Sequence, residues 1–214
     1  MDYISTRNSA HKVSAAEAIL RGIAPDGGLY IPEAIPQIDY SFIENLCSMP
    51  YTQRAKEVLK LFLTDYTAAE ISDCVDEAYG SGFDDNRPAP LASLTGSSYF
   101  LELWHGPTCA FKDMALQLLP KLMTTAIRKV GDGKEAVILV ATSGDTGKAA
   151  LEGFRDVEGT RIMVFYPEHG VSPMQKRQMY TQQGGNVNVT AIEGNFDDAQ
   201  TGVKAIFADK LLEK

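Results

Sequence analysis

The 214-residue sequence has few of the residue types that build disulfide frameworks or metal sites. Its three cysteines, Cys47, Cys74 and Cys109, are an odd number and include no Cys-X-X-Cys pair. This argues against a disulfide framework and against a thiolate metal site. The three histidines are far apart and include no pair at helical spacing. The sequence therefore predicts no metal site, and its cysteine content is typical of the reducing cytoplasm.

Long apolar runs and basic stretches are also missing. No apolar run approaches the ~20 residues needed to span a bilayer, and the first residues lack the pattern of a signal peptide. The net charge is −8, and no basic stretch suggests a nucleic-acid surface. We therefore expect neither a membrane nor a nucleic-acid partner. An anionic ligand stays compatible with this charge, because one local pocket can oppose the global sign.

The first part of the chain is predicted to be mainly helical. A domain boundary is expected near residue 88, where glycines and prolines cluster. Within the predicted domain 1–88, Ser14 and Glu17 match a capping box, and residues 29–31 predict a short extended piece. Three further helices are predicted, at 40–48, 51–64 and 67–79.

The predicted second domain, 89–214, has the pattern of an α/β protein. Its predicted elements are strands 91–94 and 99–103, helix 113–129, strand 136–141, helix 145–155, strand 161–166, a helix from Ser172, strand 187–192 and helix 196–212. Alternating strands and helices over 134–214 indicate a parallel sheet. Because Pro120 lies inside a predicted helix, we expect a kink there. The continuous apolar run Ala136–Ala141 predicts a buried parallel strand.

Lys112 is the first candidate for chemistry. It lies where a loop containing glycine and proline leads into a predicted helix, among small and apolar neighbours. Partial burial and a nearby helix N-terminus would favour the neutral amine, which can attack an aldehyde. By itself, this spacing fits a surface lysine at a helix start better, because such lysines are common.

The segment Thr142–Gly147 follows a predicted strand and opens a helix. Its glycines allow close backbone approach, and its hydroxyls and free amides suit a carboxylate or a phosphate. Ligands bind at this end of the strands in open α/β sheets. A P-loop is excluded, because Thr142 replaces the first glycine and Ala149 replaces the required Ser or Thr. A helix-capping turn without a ligand is the alternative.

Taken together and in order, these segments resemble the threonine synthases, which are fold-type-II pyridoxal-phosphate enzymes. The resemblance rests on His105-Gly106-Pro107-Thr108, Phe111-Lys112-Asp113, Ala141–Gly147, Tyr3–Arg7, Ala24–Tyr30 and Glu193–Gln200. These runs are spread over essentially the whole chain.

The resemblance implies a carbon–oxygen lyase that converts O-phospho-L-homoserine and water to L-threonine and phosphate, by γ-elimination and β-addition, in the last step of threonine biosynthesis. It implies that Lys112 is the catalytic residue, which holds pyridoxal 5'-phosphate as an aldimine and moves protons. The implied cofactor-binding residues are Lys112, Ser143, Gly144, Asp145, Thr146 and Gly147. The implied substrate-binding residues are His105, Thr142, Ser143 and Thr146.

One segment departs from the family pattern. The family holds the cofactor phosphate with a separate Ser-Gly-Asn-Phe-Gly loop further along the chain. Gly194-Asn195-Phe196 resembles it superficially, but Asp197 and Asp198 follow and would repel a phosphate. We predict that these two carboxylates cap a helix instead.

Because full-length family members are considerably longer, we expect an N-terminal fragment that lacks the phosphate loop. Such a fragment is expected to be inactive and without bound cofactor. If its sheet is incomplete, the exposed edge favours homo-oligomers. Two alternatives stay open: another fold-type-II lyase, and a non-catalytic binding module derived from the family. An intact Lys112 argues against the second, because a purely structural protein has no need of it.

Overall fold

A computed structural model describes residues 1–84 and 87–209. The chain forms two compact units that alternate along the sequence. The first comprises Met1–His105 and Lys121–Gly133, and the second comprises Gly106–Pro120 and the residues from Lys134 onward. The predicted domain boundary near residue 88 stays a prediction.

The first unit begins with a small antiparallel sheet followed by helices. Strands β1 (Tyr3–Ser5), β2 (Lys12–Val13) and β3 (Tyr30–Pro32) pair in the order β2-β1-β3. Only the third strand matches a predicted element, because runs of two or three residues are too short to show a period. The helices are α1 (Ala15–Arg21), α2 (Tyr40–Cys47), α3 (Tyr51–Phe62) and α4 (Ala68–Tyr79). The predicted capping box of Ser14 and Glu17 is confirmed.

A hairpin of β4 (Leu91–Thr95) and β5 (Ser98–Leu101) also belongs to the first unit. Its turn contains Gly96, whose φ of 56° lies in the left-handed region that glycine adopts readily. Most of its side chains are exposed on both faces.

The predicted single helix 113–129 is wrong. The chain forms α5 (Asp113–Leu116) and α6 (Leu119–Val130), which are separated by Gln117 and Leu118. Pro120 therefore lies in the first turn of α6, where its missing amide costs no intrahelical hydrogen bond. The proline follows a break between two helices instead of kinking one.

The second unit contains the parallel sheet, so the α/β pattern is confirmed. Strands β6 (Ala136–Ala141), β7 (Thr160–Pro167) and β8 (Val187–Ile192) pair in parallel, in the order β6-β7-β8. The helices are α7 (Asp145–Phe154), α8 (Pro173–Tyr180) and α9 (Phe196–Ala208). The end predicted for α9, at residue 212, lies outside the described residues.

Burial follows the strand order of this sheet. Ile162 and Val164 in the central β7 are fully buried. The predicted strand at β6 is present, but the prediction that it is buried is wrong: the strand is only half-buried, and Val137 is 58% exposed. The cause is its edge position, because β6 pairs only with β7 among the described strands. No helix within residues 1–84 and 87–209 is long and apolar enough to cross a bilayer.

Candidate active site

Lys112 lies directly before α5, in helical backbone conformation. Its side chain is half-buried, and its Nζ lies 4.8 Å from the centroid of the Phe111 ring. A cation over an aromatic face gains about 0.5–1 kcal/mol at exposed sites, and the Phe111 side chain is itself 56% exposed. Lys112 therefore combines a defined resting contact with access to solvent.

The neighbouring Asp113 anchors this turn. Its side chain is 1% exposed, and its Oδ2 and Oδ1 accept from the Thr108 amide at 2.8 Å and the Thr108 hydroxyl at 2.7 Å. A Cβ at Gly106 would lie only 2.8 Å from the Asp113 carboxyl carbon. Glycine is therefore required where the chain closes over the aspartate. Both residues belong to the runs that resemble the threonine synthases, but the sequence alone predicts no role for either of them.

Thr142 organises the second predicted segment. It is 2% exposed, and its Oγ1 accepts from the Gly144 amide at 3.0 Å and the Gly147 amide at 2.9 Å. Gly144, the residue before α7, has a φ of 147°. A Cβ at Gly147 would lie 2.9 Å from the Thr142 Cβ. The Thr142 hydroxyl thus caps α7, because the N-cap residue Gly144 has no side chain that could accept these hydrogen bonds.

The start of α7 has the properties of an anion site. Ser143, Asp145 and Thr146 are exposed, whereas Gly144 and Gly147 are buried. The amides of the first two helical residues precede the first intrahelical hydrogen bonds. They and the helix dipole favour an anion there. The carboxylate of Asp145 acts against these two contributions, because its negative charge repels an anion.

The two predicted segments lie on helices in contact. Helix α5 packs against α7. A Cβ on Gly153 of α7 would lie 3.0 Å from the carbonyl carbon of Leu116 and closer still to its oxygen. The absence of a side chain at Gly153 therefore allows the backbone of α5 to approach α7. The helix that follows Lys112 is thereby held on the helix that follows the Thr142–Gly144 turn.

Gln175, on α8, is a site residue that sequence analysis missed. Its Nε2 donates to the Asp145 Oδ1 at 2.8 Å, and a Cβ on Gly144 would lie 2.7 Å from its Oε1. The contact joins residues 30 positions apart, so no local pattern signals it. Its place three residues after Ser172 predicts only a capping box, which the structure contains.

Lys148 contacts other side chains of the second unit. Its Nζ donates to Glu152 Oε2 at 3.2 Å and to the Gln182 side chain. Burial raises the pKa of Glu152, but hydrogen bonds from Lys148 and Gln182 outweigh it, so that the net shift is downward. These contacts hold the Lys148 ammonium between Glu152 of its own helix and Gln182.

His105 belongs to the first compact unit, unlike the other predicted site residues. Its Nδ1 lies 2.6 Å from Asp84 Oδ1 and its Nε2 lies 2.7 Å from Glu102 Oε2. Hydrogen bonds to Glu102 and Asp84 raise the pKa of His105. Both nitrogens have to donate to satisfy both carboxylates, so this arrangement favours the imidazolium. A substrate would have to replace one carboxylate to bind this ring.

The start of α9 is closed by its own side chains. Asn195 Oδ1 accepts from the Asp197 amide at 2.7 Å and the Asp198 amide at 3.1 Å. Asp198 in turn accepts from the Asn195 amide at 2.8 Å. The predicted capping role is confirmed for Asp198, and the Asp197 carboxylate lies in the same first turn. The Asp197 and Asp198 amides at the start of α9 are therefore already hydrogen-bonded within the cap and are not available to bind a phosphate.

The chain is similar to known proteins over nearly its whole length. A family model described as "Threonine synthase N terminus" matches residues 2–79. A threonine synthase of Pseudomonas aeruginosa is 44% identical over 98% of this chain and 44% of its own length. A human protein named threonine synthase-like 1 is 38% identical over 97% of this chain and 30% of its own length.

A solved structure extends the likeness to the fold. The crystal structure of PLP-bound threonine synthase from Brucella melitensis matches with a TM-score of 0.88 and 42% identity, over 99% of this chain and 45% of that one. The predicted α/β fold class of these enzymes is thereby confirmed. The chain spans less than half the length of each of these relatives. It is therefore a relative of the threonine synthases that corresponds to their N-terminal part.

Proposed function

We propose that this chain supplies the lysine-bearing part of a threonine synthase, which converts O-phospho-L-homoserine and water to L-threonine and phosphate. The observation that carries the proposal is the position of Lys112. The lysine is half-buried and accessible beside a fully anchored Asp113. It lies directly before α5, which packs on α7, and the first two amides of α7 precede its first intrahelical hydrogen bonds.

The residues present fit part of a pyridoxal 5'-phosphate site. Lys112 would hold the cofactor aldehyde through its amine, and the turn Ser143–Gly147 would line the cofactor and bind an anionic group of the substrate. The exposed hydroxyls of Ser143 and Thr146 and the adjacent helix amides suit such a group. When bound, the cofactor supplies an electron sink for carbanions. Lys112 is the base that we expect to move protons between substrate carbons.

We infer that the cofactor phosphate requires a site that the residues described by the structure do not provide. The segment that resembles a phosphate loop, Gly194-Asn195-Phe196, instead caps α9, and Asp197 and Asp198 add two negative charges there. We therefore propose that the 214 residues bind pyridoxal 5'-phosphate weakly by themselves and release no phosphate from O-phospho-L-homoserine. Phosphate release above the background of a Lys112→Ala control would contradict this second point.

Covalent labelling tests the role of Lys112. The chain is incubated with stoichiometric pyridoxal 5'-phosphate, reduced with borohydride and mapped by mass spectrometry. We expect label at Lys112, none in Lys112→Arg, and unchanged label at this site in Lys148→Arg, whose ammonium already contacts Glu152. Label distributed evenly over the other lysines would count against the proposed function and favour a binding module without covalent chemistry.

Two further properties are proposed. We expect the protein to act in the cytoplasm. The exposed apolar side chains of the β4–β5 hairpin support self-association, because exposed apolar surface favours contacts between proteins. The exposed apolar residues of the hairpin are Leu91, Leu94, Tyr99, Phe100 and Leu101. Sedimentation at several concentrations measures this association.

A further inference from the structure

We infer that Gln175 is a positioning residue for the turn Thr142–Gly147, and that it sets the affinity of this turn for an anionic group. The inference rests on the proposed function of the turn as a binding site for such a group. It assigns a role to a residue on a different element, α8, which lies outside both predicted segments.

The side chain of Gln175 connects the starts of two helices. Its Oε1 accepts from the Ser172 amide at 3.1 Å, which completes the cap of α8. Its Nε2 donates to the Asp145 carboxylate at 2.8 Å, at the first residue of α7. One amide group therefore uses its acceptor for its own helix and its donor for the turn.

Gln175 also packs directly on the turn. A Cβ added to Gly144 would lie 2.7 Å from Gln175 Oε1 and nearer still to the rest of the amide group. The φ of Gly144, 147°, is one that residues with a side chain rarely adopt. Glycine at this position leaves room for the Gln175 amide and permits the backbone conformation that exposes the start of α7.

The charge of Asp145 explains why this contact matters for binding. A carboxylate in the first turn of a helix is attracted to the same free amides as an external anion. The hydrogen bond from Gln175 Nε2 holds this carboxylate at α8. Without that donor, the carboxylate competes with the ligand for the amides and repels it. We therefore expect that removal of the Gln175 donor lowers the affinity of the turn for an anion.

A double-mutant cycle with inorganic phosphate as the probe tests the inference. Gln175→Glu keeps an acceptor for the Ser172 amide, since Glu serves a capping box as well as Gln does. It removes the donor to Asp145 and places two carboxylates together. Asp145→Asn removes that repulsion and supplies a donor for the new carboxylate. The four proteins are the parent, each single variant and the double variant, all with 214 residues.

Phosphate affinity is measured from the shifts of the amide resonances of residues 143–147 during titration. We expect Gln175→Glu to weaken binding about tenfold in the parent, the equivalent of one hydrogen bond to a charged group. In the Asp145→Asn background, the same substitution is expected to change affinity less than about threefold, because the pair is restored. A merely structural role would lower affinity equally in both backgrounds.

Several outcomes would overturn the inference. Equal losses in the two backgrounds, no loss in Gln175→Glu, or a parent turn that does not respond to phosphate would each do so. If Gln175→Glu fails to fold, Gln175→Met removes the donor to Asp145 without adding a charge. It is expected to weaken phosphate binding in the parent and to have a smaller effect in Asp145→Asn, where no carboxylate competes for the helix amides. Labelling of Lys112 is read separately, so failure of the proposed catalytic role is distinguishable from failure of this inference.

Discussion

The contact between α5 and α7 gives the sharpest test of how the candidate site is held. Gly153 lies in α7, and the Cβ of an alanine there would meet the backbone carbonyl of Leu116, 3.0 Å from its carbon and closer to its oxygen. A backbone atom cannot rotate away as the end of a side chain can. Gly153→Ala therefore has to push α5 and α7 apart or distort one of them.

Two opposing contributions set the size of the effect. Overpacking of a well-packed contact typically costs about 1–3 kcal/mol, and a clash with backbone belongs at the upper end. Replacing glycine by alanine inside a helix returns about 0.8–1 kcal/mol through helix propensity. The steric cost is the larger, so Gly153→Ala is expected to lower the free energy of unfolding by about 2 kcal/mol.

Gly202 provides a matched control. It lies inside α9, and a Cβ there would meet nothing within 4 Å. Gly202→Ala therefore tests helix propensity without the clash and is expected to stabilise by up to about 1 kcal/mol. Urea unfolding followed by circular dichroism measures both variants against the parent. If Gly153→Ala proves as stable as Gly202→Ala, close backbone contact between α5 and α7 is refuted.

Two other predictions concern single hydrogen-bonded groups. Thr142→Val should lower the free energy of unfolding by about 1–3 kcal/mol, because the buried Gly144 amide loses its acceptor. Thr142→Ser keeps the hydroxyl, so in urea unfolding it should retain most of the stability of the parent. An equal loss of stability in both variants would contradict the hydrogen bond. The pKa of His105 is raised in the folded protein. The contribution of His105 to stability is therefore fully present below the pKa of an unfolded histidine, about 6.5, and is lost as the pH rises through the pKa of the folded state. The stability difference between the parent and Glu102→Gln should therefore shrink from pH 6 to pH 9, and a difference that grows would refute the pairing.

Local signals in the sequence predict most of the fold. The cap at Ser14, the Ser172-Pro173 helix start and the strand Val187–Ile192 all follow from patterns within a few residues. The sequence predicts the break at Gln117 and Leu118 only as a kink at Pro120. The proline has no amide to bond the Leu116 carbonyl, four positions earlier, and its ring clashes with that carbonyl in a continuous helix. The Leu116 carbonyl, where α5 ends, lies instead against Gly153 of α7, a contact that the sequence does not signal.

The candidate site divides in the same way. Glycine and hydroxyl residues after a strand predict a ligand-binding turn at Thr142–Gly147, and the structure adds that the Thr142 hydroxyl caps α7. The hydrogen bond from Gln175 to Asp145 spans 30 residues and leaves no periodic trace. The carboxylates around His105 likewise come from Asp84, 21 positions away, as well as from nearby Glu102. Contacts between residues so far apart in the sequence cannot be predicted from local patterns and become visible only in the folded structure.

The structure also gives a physical reason for the aspartate beside Lys112. A lysine that accepts an aldehyde has to be accessible, yet its backbone has to be fixed for the amine to return to one place. Asp113 is 1% exposed and accepts two hydrogen bonds from Thr108, whereas the preceding Lys112 is half-buried. Since both carboxylate oxygens bond within the turn, Asp113 anchors the backbone of Lys112. Under the proposed function, the adjacent pair thus separates the two requirements: Asp113 anchors the backbone, and Lys112 reacts.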